Sequence, residues 1–100
     1  MIAEVHIFLA KATSSDVERF PTGQRHAMHI YVRQSLGSAH DWEAAELVAL
    51  NCGWSQVEIL KAGTLPFDTA ERKGEPERSC YLSALEKGDA ILVYCTPEQA

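Results

Sequence analysis

Hydrophobic and polar positions alternate twice near the start of the chain, and that alternation predicts its first two elements. From Ile2 to Ala10, Ala3, Val5, Ile7 and Leu9 fall on one side, with Glu4, His6 and Phe8 on the other. A period of two with β-branched residues is the mark of a half-buried strand. Thr13-Ser14-Ser15-Asp16 breaks the pattern, and Pro21-Thr22-Gly23 makes a turn. His26 to Gln34 alternates again, with Met28, Ile30 and Val32 opposite His29, Tyr31 and Arg33.

The period then changes. Trp42, Ala45, Val48, Ala49 and Cys52 gather on one helical arc, after Ser38 as N-cap and before Gly53 as C-cap. These limits predict a helix from about Ala39 to Cys52, with Trp42 and Cys52 in the core and His40 exposed on its first turn. Trp54 should fold back on the helix end and lead into a third strand reaching Lys61. The polar stretch 64–76 reads as a mobile loop. Glu77 to Lys87 returns to helical spacing, with Cys80, Tyr81, Ala84 and Leu85 on one side, Pro76 before it and Gly88 after it. Ala90 to Cys95 is an apolar run suited to a central strand, stopped by Pro97.

The order strand, strand, helix, strand, helix, strand in 100 residues predicts one α+β domain, residues 1–100. The economical arrangement is a two-layer fold: a four-stranded mixed sheet with both helices on one face and right-handed crossovers between parallel strands. A ferredoxin-like order is available as an analogy only.

Composition narrows the partners. Fourteen acidic against nine basic residues give a net charge of −5, which disfavours nucleic acid and anionic lipid. Three cysteines without paired spacing fit a reducing compartment, so the cytoplasm is expected. Neither a signal peptide nor a membrane span is read from the sequence.

Candidate chemistry depends on which sheet face the helices cover. If Val5, Ile7, Ile30 and Val32 lie beneath them, the open face carries Glu4, His6, Phe8, His29, Tyr31 and Arg33, joined by Tyr94 or Leu92. Three roles compete for His6, Phe8, His29, Tyr31 and Arg33. Aromatic residues and arginine suit a self-association surface, hence a homodimer. The same groups suit another protein partner or a small anionic ligand, held by charge-assisted hydrogen bonds. The third role is a small cofactor-free enzyme using His, Tyr and Arg in acid–base chemistry.

No motif specifies a reaction, and no catalytic residue is assigned. His26 and His29 are three apart on a strand and point to opposite faces, so they cannot share a metal. No metal is expected without an H-E-x-x-H or a paired C-x-x-C, and no cofactor, since the glycine spacings match neither a dinucleotide fingerprint nor a phosphate loop. Cys80, in the first turn of a helix, has the dipole available to lower its pKa. The leading reading is therefore an interaction module, with the enzyme as alternative.

Overall fold

The computed structural model describes residues 2–94. Four strands and three helices follow one another as β1 (Ala3–Ser14), β2 (Arg25–Ser35), α1 (Trp42–Asn51), β3 (Trp54–Leu65), α2 (Phe67–Lys73), α3 (Glu77–Lys87) and β4 (Asp89–Val93). The strands form one sheet in the order β3-β1-β2-β4, and every neighbouring pair is antiparallel. The α+β class and the four strands agree with expectation.

The arrangement differs in three respects. The sheet is antiparallel rather than mixed, because β1 and β2 form a hairpin and β3 returns to the far side of β1. Antiparallel pairing with both neighbours of β1 makes β2 and β3 run the same way, so α1 does cross between like-directed strands, with β1 lying between them. The apolar run beginning at Ala90 forms an edge strand paired only with β2, not a central one. A βαββαβ order of the ferredoxin-like kind is therefore absent. The residues placed at the end of that run, Cys95 and Pro97, lie outside the described ones.

The third difference decides where a site can be. Helices cover both sheet faces instead of one. On one side α1 packs Ala45 and Ala49 against Phe8, Ala10, Ala12, Met28, Ile30 and Val32, together with Trp54. On the other, α2 and α3 bring Ala70, Tyr81 and Ala84 onto Val5, Tyr31 and Leu65. The expected mobile loop 64–76 contains the end of β3 and all of α2. Phe67 and Ala70, three apart, anchor this short helix. Phe67 meets the ring of Tyr81 at 5.6 Å, while Ala70 is buried beneath.

Strand register explains why two layers were not enough. Ile7 lies opposite Tyr31 and Phe8 opposite Ile30. Paired residues share a face, so Ile7 goes with Tyr31 and not with Ile30. Each face of the hairpin is thus apolar, and each requires a cover.

The helix limits follow their caps. Helix α1 begins at Trp42 because the Asp41 carboxylate accepts the Ala44 N–H at 3.0 Å, a task expected of Ser38. The later start rotates the buried arc onto Ala45 and Ala49. Trp42 is left half exposed with its ring edge-on to Phe8, and Cys52 is exposed rather than core. Trp54, expected to fold back on the helix end, is buried in the cluster of Ala45 and Ala49 and also meets the rings of Phe20 and His26. Helix α3 keeps its expected limits, with Gly88 left-handed at its end.

Candidate functional site

The five residues expected on one open surface are divided between the two faces. His6 and Phe8 lie under α1, both fully buried. His29, Tyr31 and Arg33 lie on the α2/α3 side, and only some of that group remains available. The Tyr31 ring is fully buried in the α3 cluster. Its hydroxyl has no hydrogen-bond partner among the described residues. Burial, with the nearby Cys80, Glu77 and Tyr94, pushes its pKa well up, so it stays a neutral phenol. Arg33 reaches the end of α3, donating from Nη1 to the Leu85 carbonyl at 2.8 Å, while its backbone N–H donates to Gly88 O at 2.9 Å. A cation closing the negative end of a helix is a structural role.

His29 is different. Helices α2 and α3 cover the end of their face near Val5, Tyr31 and Leu65, but not the end near Leu9. There the sheet floor is open, and a hollow of about 280 Å³ forms over it. Half-buried Ile7 and Leu9 contribute the apolar floor from β1, His29 stands on β2, Lys61 and Gly63 on β3, and Lys73 closes the rim from the last turn of α2. This volume is close to the lower bound of about 300 Å³ for small-ligand pockets. Neither lysine has a carboxylate partner within salt-bridge distance among the described residues.

The hollow's electrostatics are set by position. His29 lies half sheltered by the sheet and beside Lys73, and burial followed by that positive charge lowers its pKa, with Glu77 opposing. The imidazole is therefore neutral near neutral pH. Nδ1 lies 2.8 Å from the Tyr94 hydroxyl, in a hydrogen bond that either group can donate. The result is one neutral imidazole and two ammonium groups around an apolar floor. Such a set fits an anion with a hydrocarbon body.

Other expectations can be placed. His26 and His29 do point to opposite faces; His26 is buried between Phe20 and Trp54, with Nδ1 2.8 Å from the Tyr94 carbonyl. Cys80 faces the α3 cluster, where burial, Glu77 and Glu75 raise its pKa and outweigh the helix dipole expected to lower it. Among the described residues no group of three or more His, Cys, Asp or Glu could hold a metal ion, and no helix is long and apolar enough to cross a membrane. A larger hollow of about 430 Å³ at the end of α1 is lined by Ser15, Asp16 and Leu50–Trp54 and brings no cation or imidazole together.

Lys61 and Lys73 did not emerge from the sequence. Lys61 joins Leu9 on the floor only because β3 pairs with it in that register, before the bulge that shifts Ala10 onto Ile59. Lys73 depends on α2, a helix that the polar composition of its segment conceals. Comparison of the chain with family models, with curated proteins and with solved structures finds no match.

Proposed function

We propose that the chain is a binding module for a small organic anion, a carboxylate with a short apolar body, held in the hollow of Ile7, Leu9, His29, Lys61 and Lys73. The observation that carries this reading is the convergence of Lys61 and Lys73 on an apolar sheet floor in a chain of net charge −5. A surface that is acidic as a whole repels polyanions, so a nucleic acid is disfavoured as the occupant. The free thiols of Cys52 and Cys80 suit the reducing cytoplasm as its place of work. Self-association through Phe8 and Tyr31 loses its basis, because both rings are buried within the chain. An acid–base set of His29, Tyr31 and Arg33 is equally ill served, since Tyr31 lies under α3 and Arg33 is engaged with Leu85.

Hexanoate is a suitable probe, with sulfate as a control for charge alone. Titration of hexanoate should shift the amide signals of Lys61, Gly63 and Lys73. It should also raise the His29 titration midpoint, because a bound anion stabilises the imidazolium that Lys73 disfavours. Lys61→Ala with Lys73→Ala should weaken binding at least about tenfold, the effect of losing about 1.4 kcal/mol of charge-assisted contact. Both side chains are exposed, so folding should survive their loss. Equal binding by the double variant, or shifts elsewhere on the chain, would refute the assignment.

A further inference from the structure

We propose that Glu4, His6 and His40 form a proton-responsive latch, which holds the β2–α1 connection against the sheet and opens when both imidazoles are protonated. The latch lies on the α1 face, away from the hollow, and is independent of what binds there. His6 is fully buried on β1, beside Val32 of β2 and Thr64 of β3. Its Nε2 is 2.7 Å from Glu4 Oε2, and its Nδ1 is 2.9 Å from Nδ1 of half-buried His40. Glu4 on its own strand contacts the pair, and the charged residues that follow His40 in the chain are Asp41, the cap of α1, and Glu43 in its first turn.

Counting protons gives the behaviour. A carboxylate accepts, so His6 Nε2 carries a proton and donates it to Glu4. The contact between the two Nδ1 atoms needs one proton and one lone pair. The neutral pair satisfies this in one way, with the proton on His40 Nδ1 and the lone pair on His6 Nδ1. One further proton can enter at His40 Nε2, leaving His40 Nδ1–H as donor and His6 Nδ1 as acceptor. A second must occupy His6 Nδ1, which then faces another N–H, and the contact breaks. The pair therefore takes one proton closed and two only when open.

Opening acts on a defined segment. Glu4 Oε2 also accepts the Gly37 N–H at 3.0 Å, and its pKa is lowered by the His6 hydrogen bond first, against a smaller opposing effect of burial, with Gly37 and the charges of His6 and His40 assisting. Glu4 thus ties Gly37 and His6 together. His40 leads directly into Asp41, the cap of α1, and its ring lies against His6 and Phe8. The Gln34 side chain holds the same connection without titrating, accepting from Asp41 N–H at 3.0 Å and donating to Ala39 O at 2.7 Å. Release of His40 should loosen the connection while Gln34 keeps it attached.

The test is an acid titration of the whole chain from about pH 8 to about pH 4, spanning the ordinary histidine range, followed by imidazole ¹⁵N and backbone amide signals. The two imidazoles should take up protons in separate steps, the second moving Gly37 and Asp41 and lowering the exchange protection of the Gly37 amide, relative to its intrinsic rate at each pH, at least tenfold. His40→Asn supplies an amide that can donate to His6 Nδ1, or turn and accept from it, whatever the charge of His6. That variant should lose the response at Gly37 and Asp41 within the histidine range. An unchanged response in His40→Asn, or independent titration of the two histidines with Gly37 unmoved in the unmodified chain, would overturn the proposal.

Discussion

Gly53→Ala is expected to destabilise the fold by about 3 to 5 kcal/mol, the upper end of single-substitution effects. Gly53 stands between α1 and β3 with φ of +95°, a conformation that costs a side chain strain wherever it occurs. Here a second penalty is added, because an alanine Cβ would lie 2.2 Å from the Asp16 carbonyl oxygen. That oxygen belongs to backbone, and its segment is fixed because the Ser15 and Asp16 N–H groups both donate to Gly53 O, at 3.0 and 2.9 Å. Neither side can move without breaking those bonds. At about 4 to 8 °C per kcal/mol for a domain near this size, Tm should fall by at least about 12 °C. Gly74→Ala is the control: φ is +74°, but nothing lies within 4 Å of the added carbon, so only the strain of about 1 to 3 kcal/mol applies. Calorimetry on the two variants checks the difference.

Phe8→Ala is expected to cost about 3 to 5 kcal/mol as well, by deletion of a large side chain from a packed core. Phe8 is fully buried, central in the α1 cluster, and meets Trp42 at 5.7 Å and His40 at 6.1 Å between ring centroids. The cavity would open beneath α1, whose own buried contribution is small, chiefly Ala45 and Ala49. Total stability of a small domain is about 5 to 15 kcal/mol, so the variant should be much reduced in stability. Phe8→Asp should not fold, since an unpaired carboxylate would occupy the same space. Denaturant unfolding monitored by tryptophan fluorescence gives the first value. A surface residue would show neither effect.

The alternation of β1 and β2, the limits of α3 and the burial of Trp54 were legible because each is a local pattern. The division of faces was not. Fixing register from sequence needs a short, diagnostic turn, and ten residues separate β1 from β2. With the register open, Ile7 can be paired with either Ile30 or Tyr31, and a slip of one residue moves every side chain across the sheet. The composition of the hairpin held the better clue. Ile7, Leu9 and Tyr31 on one face and Phe8, Met28 and Ile30 on the other are too apolar for either to stay open. Helix α2 was hidden for a different reason: only Phe67 and Ala70 of its seven residues carry an apolar face. The pairing of His6 with His40 was beyond local reading, since 34 residues separate them and the late start of α1 leaves His40 free to turn inward.

The claim beneath the whole account is that Tyr31 and His29 share with Ile7 the face that α2 and α3 partly cover, while Phe8 shares the other with Ile30, under α1. Nuclear Overhauser contacts from selectively labelled Tyr31 and Phe8 rings measure this directly. The account predicts contacts from Tyr31 to Val5 and to the Ala84 methyl, and from Phe8 to Ala45 or Ala49. Contacts from Tyr31 to the α1 alanines would contradict it, because the floor of the hollow would then face the opposite way.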